Sequence, residues 1–108
     1  MIDNIQIGFE PIKGDNHYQW VNIDYRNKRV GKARIRKIYS KTIIKTINIF
    51  SEFEGIGIAK MLVDYFIDRS RIVVAENVRH TAKTFWEHLD FEDNNDGDYY
   101  WENIDYKR

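Results

Sequence analysis

Two glycines stand between a strand-like run and a helix-like run of this chain. Thr42 to Phe50 is rich in isoleucine and predicts a strand, and Ile58 to Asp68 has the apolar spacing of a helix. Gly55 and Gly57, between them, allow the backbone to approach a ligand closely. The first amides of a helix have no partner within it, and the helix dipole is positive there. The sequence therefore predicts a site for a phosphate or pyrophosphate on the amides from about Gly55 to Lys60.

Two better-known phosphate loops do not fit this turn. A P-loop requires a Gly-Lys-Ser/Thr sequence, which the chain lacks, and a dinucleotide fingerprint requires glycine where Lys60 stands. Because two glycines alone have little specificity, a plain turn between strand and helix is an equal alternative.

The apolar periodicity along the chain predicts an α/β (α+β) domain, with a mixed, mostly antiparallel sheet and two main helices packed on it. Predicted strands cover Ile2 to Phe9, Tyr18 to Tyr25, Arg29 to Tyr39, Thr42 to Phe50 and Ile72 to Ala75, and a last hairpin joins Phe91 to Asp93 with Tyr99 to Ile104. The second helix is indicated by the spacing of Ala82, Phe85, Trp86 and Leu89. The strand at Ile72 to Ala75 should lie parallel to the strand before the first helix.

Length and composition restrict the class of protein. With 108 residues, 43% of them apolar, the chain suffices for a single domain over residues 1–108. Cysteine is absent and the three histidines show no metal spacing, so no metal site is expected. No apolar run could span a membrane and the first residues lack the features of a signal peptide, so a cytoplasmic location is expected.

The formal net charge is zero, but the charges are segregated. More than half of the 17 basic residues lie between Arg26 and Lys45, and nearly half of the 17 acidic residues lie between Glu87 and Asp105. The basic segment 26–45 either attracts phosphate or acidic substrates or is simply solvated. Nucleic-acid binding through this segment is one hypothesis, which the acidic end of the chain argues against. Its candidate contacts are Lys32, Arg34, Arg36 and Lys37.

A second informative block, Ala82 to Phe91, follows the glycine turn. Together the two blocks resemble the GNAT superfamily of acetyl-CoA-dependent N-acetyltransferases. Gly57 and Ala59 occupy the last two defining positions of that family's Gln/Arg-x-x-Gly-x-Gly/Ala loop, and Ala82 to Phe91 is similar to its A-x-x-F-Y-E-K-L-G-F block. The resemblance covers residues 42 to 91, in the family's order.

The resemblance implies acetyl-CoA as cosubstrate. In the family, pantetheine enters a gap where the strand before the glycine turn splays from its parallel neighbour, and the pyrophosphate rests on the turn. Phe85 and Trp86 would flank the thiol and acyl end, with core packing as the alternative for both. The implied cofactor contacts are Ile49, Phe50, Ser51, Glu54, Gly55, Ile56, Gly57, Ile58, Ala59, Lys60, Arg79, Phe85 and Trp86.

Both positions that usually move protons in the family are changed here. Trp86 stands where a tyrosine often protonates the leaving thiolate, and an indole does not release its proton at a useful pH. Thr46 stands where a carboxylate often assists as base. Weak candidates to replace them are Glu76, His80 and Tyr99, each of which is more readily explained as structural or exposed.

The sequence thus favours a small N-acetyltransferase that acts on an unidentified primary amine, on either a small molecule or a protein. The alternative is a GNAT-fold acyl-CoA-binding module without catalysis, in keeping with Trp86, Thr46 and a carboxylate, Glu54, near the expected pyrophosphate. The family's first two helices are missing or reduced, because the loop from Pro11 to His17 replaces them. A homodimer is compatible with the sequence, and no membrane partner is expected.

Overall fold

A computed structural model describes residues 4–105 and places seven strands in one sheet. The strands are β1 Gln6–Pro11, β2 Gln19–Tyr25, β3 Lys28–Ile38, β4 Lys41–Ile49, β5 Ile72–Ala75, β6 Glu92–Asp93 and β7 Tyr99–Glu102. The helices are α1 Ile58–Arg69 and α2 Lys83–His88, and short 3-10 turns cover Ser51–Phe53 and His80–Ala82.

The strand order in the sheet is β1-β2-β3-β4-β5-β7-β6. Among the described residues, β4 and β5 are parallel and every other neighbouring pair is antiparallel. A mixed, mostly antiparallel sheet with two helices is therefore confirmed. The predicted span of β5 and the β4-α1-β5 crossover are also as expected.

The first strand overlaps its prediction over residues 6–9 and is shifted toward the C-terminus. Ile2 is outside the described residues, and β1 extends to Pro11, which pairs with Gln19. Proline is tolerated there because β1 is an edge strand, where a missing N–H leaves no ladder bond unmade. The connection to β2 is reduced to residues 12–18 and contains no helix, which agrees with the expected loss of the first two family helices.

Helix α2 is shorter than its periodicity indicated. Ala82 belongs to the preceding 3-10 turn, and the α-helix itself has six residues. The apolar pattern indicates which side chains face the core, and it does so for a 3-10 turn as well as for an α-helix. It therefore does not distinguish the turn from the helix.

Helices α1 and α2 cover one face of the sheet. Ile58, Leu62 and Phe66 of α1 and Trp86 of α2 belong to a single core cluster. The strands contribute Val21, Ile23, Ala33, Ile35, Ile44 and Val73 to it. Within residues 4–105 no helix covers the other face, which we call the open face.

Strand β4 contains an extra residue, Lys45. Ile44 pairs with Ile35 and Thr46 pairs with Arg34, so Lys45 has no opposite residue on β3. This β-bulge changes the phase of the strand. Ile44 faces the core before the bulge, and Ile47 and Ile49 pack against it afterwards.

Candidate functional site

Strands β4 and β5 pair over a short length and then separate. Their ladder runs from Lys41 opposite Ile72 to Ile44 opposite Ala75, and the Glu76 amide donates the last bond, 2.9 Å long, to the Ile44 carbonyl. Beyond this point β4 continues to Ile49, and no described strand pairs with it on that side.

The chain after β5 is held away from β4 by the hairpin that connects β6 and β7. The Asn77 amide donates to Asp98 Oδ1 at 2.8 Å, and the Val78 amide donates to the Gly97 carbonyl at 2.7 Å. Asn77 has a positive φ of 52°, which turns the backbone out of the strand direction. These contacts keep the two parallel strands apart.

A cleft of about 510 Å³ fills the space between them. One wall of this β4–β5 cleft is β4 from Ile44 to Ile49, and the other is formed by residues 75–79. Ala59, Ala82, Phe85 and Trp86 also line it. An unpaired strand edge offers alternating N–H and C=O groups, which suits an extended chain that contains amides.

The start of α1 meets the requirements for an anion site. Gly57 is the N-cap residue with φ 96°, no side chain caps the helix, and the first helical bond runs from the Met61 amide to the Gly57 carbonyl. No described residue accepts a hydrogen bond from the amides of residues 55–60. A Cβ built on Gly55 or Gly57 would meet nothing within 4 Å, so the space over these amides is open.

Glu54 does not block this site. It is exposed, it lies just before Gly55, and its carboxylate caps none of the α1 amides. Ala59, in the first turn of α1, lines the β4–β5 cleft, so the free amides and the cleft form one continuous region.

The structure brings five of the thirteen expected cofactor contacts into the cleft wall. Ile49, Ala59, Arg79, Phe85 and Trp86 line it. Phe50 and Ser51 follow the end of β4, and the Ile58 side chain is buried in the core, which leaves only its amide for a ligand.

Trp86 belongs to the core and to the cleft together. Its side chain is 6% exposed, and its ring lies 5.0 Å from Phe85 and 4.9 Å from Phe91 between centroids. Phe85 is half-buried at the cleft edge. The two alternatives for Trp86, core packing and site, are therefore compatible.

Of the candidates for proton transfer, Glu76 lines the cleft, whereas His80 and Tyr99 are not among the residues that line it. His80 is exposed on the 3-10 turn. Tyr99 is buried and its hydroxyl donates to Glu87 Oε2 at 3.3 Å. Burial, followed by the charges of Asp93 and Glu87, raises the pKa of the Tyr99 hydroxyl, so Tyr99 keeps its proton.

Tyr18 is a site residue that the sequence did not indicate. Its hydroxyl donates to Glu76 Oε1 at 2.7 Å, and the Lys45 ammonium lies 4.8 Å from the centre of its ring. This hydrogen bond, with burial as a smaller cause, raises the pKa of the Tyr18 hydroxyl. Since Tyr18 and Glu76 are 58 residues apart, no local pattern could have joined them.

A second depression, of about 360 Å³, lies on the open face and shares Glu76 with the cleft. Its lining includes the apolar side chains of Ile43 and Val74 and the carboxylates of Asp98 and Glu102. Lys41 also lines it. We call it the acidic groove.

Comparisons with known proteins give no match to a family model and no relative among curated sequences. Solved structures do match. A GNAT family acetyltransferase from Elizabethkingia anophelis with acetyl-CoA bound has a TM-score of 0.66 at 15% identity, over 94% of this chain and all of that one. A Bacillus subtilis acetyltransferase in complex with CoA has a TM-score of 0.65 at 11% identity, over 95% of this chain and 100% of that one.

This chain has the GNAT acetyltransferase fold. An acetyltransferase from Thermus thermophilus agrees, with a TM-score of 0.66 at 17% identity over 84% of this chain and 68% of that one. The GNAT fold explains the order of elements that place the free α1 amides beside the gap between β4 and β5. Within residues 4–105, neither helix has the length and apolar content to cross a bilayer, and no cluster of acidic residues and histidines could hold a metal ion.

Proposed function

We propose that the protein is an acetyl-CoA-dependent N-acetyltransferase that acts on a primary amine. The observation that carries the proposal is the continuity between the uncapped amides at the start of α1 and the gap beside the free edge of β4. The GNAT fold, shared with acetyltransferases that have CoA or acetyl-CoA bound, supports it.

The residues present fit acetyl-CoA. A diphosphate would accept hydrogen bonds from the amides of residues 55–60, where the helix dipole favours negative charge. Arg79, which is exposed at the cleft wall, adds a positive charge. The β4 edge from Lys45 to Ile49 can pair with the amide groups of pantetheine, as strand edges pair with extended peptides.

The acidic groove gives the amine a route from the open face. Carboxylates attract the protonated form in which an amine arrives, and the aliphatic lining of Ile43 and Val74 suits its carbon chain. Glu76 borders both depressions, so an amine in the groove lies next to a thioester in the cleft. Deprotonation must then precede attack, because an ammonium has no free electron pair.

The transfer is a single exchange of bonds. The ammonium first gives a proton to the Glu76 carboxylate, directly or through water, and Glu76 passes it on to solvent. The neutral nitrogen then forms a bond to the thioester carbonyl carbon and gives its second proton to Glu76. The carbon–sulfur bond breaks, and the thiolate leaves and takes a proton from solvent. The products are an N-acetyl amine and CoA. Tyr18 acts as a positioning residue, because its hydrogen bond orients the Glu76 carboxylate.

A catalytically inactive acyl-CoA-binding module is the second candidate. Trp86 supports it, because this buried indole replaces the family's usual acid and no described residue that lines the cleft is a tyrosine. Such a module would bind acetyl-CoA in the same cleft and release no thiol.

Two measurements separate these functions. Isothermal titration calorimetry measures whether the protein binds acetyl-CoA. Absence of binding at near-millimolar acetyl-CoA would contradict both candidate functions. Thiol release measured across a panel of primary amines tests transfer. Release that depends on the amine supports the enzyme, whereas binding without release across the whole panel supports the module.

A further inference from the structure

Three cations stand in a row on the open face beside the proposed site. Lys32, Arg34 and Arg36 alternate along β3, and Arg34 pairs with Thr46, which lines the β4–β5 cleft. We call them the cationic row. Among residues 4–105, no carboxylate forms an ion pair with any of the three, and Asp15 interacts with Arg34 only at a longer distance.

The row is built around Trp20 of β2. The Lys32 ammonium lies 4.9 Å and the Arg34 guanidinium 5.0 Å from the centre of the Trp20 ring. Cation–π contacts of this kind restrict long side chains that would otherwise move freely in water. The positive charges of Lys32 and Arg34 are therefore held in place.

Arg34 has a donor without an acceptor. Its Nε atom is buried and has no hydrogen-bond partner among the described residues. Buried donors in folded proteins are nearly always paired, and an unpaired one costs free energy. The Asp15 carboxylate, which interacts electrostatically with Arg34, does not supply a partner, because its Oδ1 accepts hydrogen bonds from the amides of His17 and Tyr18. An anion bound beside this guanidinium would bring negative charge next to the unpaired Nε–H.

We propose that the cationic row binds an anionic group of the acceptor, so that the preferred substrate is a small amine that carries a carboxylate or a phosphate. The inference rests on the proposed acetyl transfer. The row lies on β3 and Glu76 follows β5, two strand spacings away, or about 10 Å. The amine end lies at Glu76, and the anionic end lies on the row.

The first test compares matched amines in the thiol-release assay. We expect ε-aminocaproate to have a kcat/KM about ten-fold above that of its uncharged carboxamide, because a charge-assisted hydrogen bond is lost in the amide. A second comparison, of kcat/KM for O-phosphoethanolamine and for ethanolamine, tests a phosphate group on a shorter chain. If the charged and uncharged amines are used equally well in both pairs, the proposal is wrong.

Arg34→Gln removes the charge at the centre of the row and keeps a side chain of similar shape. We expect the preference ratio for ε-aminocaproate over its carboxamide to fall about ten-fold. Lys32→Gln should lower the ratio in the same direction, which keeps the test valid if Arg34→Gln does not fold. Lys28→Gln is the matched control, since it removes an exposed charge from the start of the same strand, away from the row. An equal loss in Lys28→Gln would overturn the proposal.

A binding test works without acetyl transfer. Inorganic phosphate, added to the protein without cofactor, should shift the indole N–H signal of Trp20 in an NMR spectrum. Trp20→Phe identifies this signal among the three tryptophans. The shift should be lost in Arg34→Gln and kept in Lys28→Gln.

The two tests have distinguishable failures. A phosphate-dependent Trp20 shift without thiol release from any amine would reject the proposed enzyme and leave the anion site supported. Thiol release without the shift and without a charge preference would reject the anion site alone. A shift caused by DNA or RNA, steeply weakened by salt and absent with phosphate and acidic amines, would replace the proposal with nucleic-acid binding.

Discussion

The Tyr18 hydroxyl donates a 2.7 Å hydrogen bond to the Glu76 carboxylate and ties the start of β2 to the end of β5. Because this bond and partial burial favour the neutral phenol, the pKa of Tyr18 is raised above its ordinary value of 10.0. The bond therefore stabilises the fold fully below pH 10.0, and this contribution is lost as pH rises through the folded pKa.

Tyr18→Phe should remove the phenol that titrates in this way. In a pH titration followed by phenolate absorbance, the difference between the wild type and Tyr18→Phe should show a single phenol that ionises above pH 10.0. The difference spectrum is needed because the pKa values of Tyr99 and Tyr100 are raised as well. A phenol that ionises at its ordinary pH would show that the bond to Glu76 does not persist in solution.

Glu76→Gln should lower kcat for acetyl transfer by about 10²- to 10⁴-fold, because the amide takes no proton from the amine. The affinity for acetyl-CoA, measured by titration calorimetry, should change little. His80→Gln and Tyr99→Phe are the comparison variants, since neither residue lines the cleft. If either of them lowers kcat as much as Glu76→Gln does, the proton acceptor has been misassigned.

Gly57→Glu should abolish measurable binding of CoA. A side chain at φ 96° is strained, and a carboxylate there repels a diphosphate on the neighbouring amides. Gly57→Gln has the same strain and nearly the same size, so it isolates the charge. We expect it to bind CoA about ten-fold more tightly than Gly57→Glu does. Wild-type affinity in both variants would place the ligand elsewhere.

Gly31→Ala should destabilise the fold at the cleft wall. A Cβ on Gly31 would lie 2.5 Å from the carbonyl oxygen of Asn48, a residue of β4 that lines the cleft. We expect the free energy of unfolding, measured with urea, to fall by about 1–3 kcal/mol.

Gly8→Ala is the control for that measurement, since a Cβ on Gly8 of the edge strand β1 meets nothing within 4 Å. Its free energy of unfolding should stay within about 0.5 kcal/mol of the wild type. If both variants lost the same free energy of unfolding, the close approach of β3 and β4 would not be the cause of the loss in Gly31→Ala.

Local patterns predicted the elements that position the cofactor site. The apolar run of β5, the helical spacing of α1 and the glycines before it were sufficient for the β4-α1-β5 unit and for the free amides. They were sufficient because each signal lies within a few consecutive residues. The same reasoning placed Pro11 in a loop, since edge strands, where proline is allowed, are not recognisable before the sheet order is known.

Contacts between distant segments could not be predicted. Tyr18 meets Glu76 because β3 and β4 place β2 and β5 in one sheet, and the Asn77 amide meets Asp98 because β7 lies beside β5. The terminal hairpin was predicted, but its position in the sheet was not, because a hairpin signal says nothing about its next neighbour. The acidic groove follows from that position, so it was also absent from the sequence interpretation.

The bulge at Lys45 makes the site depend on residue count as much as on residue type. A strand has two faces, and one residue more or less exchanges them for every position that follows. If β4 kept Lys45 but paired regularly through it, Thr46 would face the core and Ile47 the solvent, although no amino acid had changed. Chemical roles for residues 46–49 can therefore be transferred from another protein only if its strand contains the same insertion.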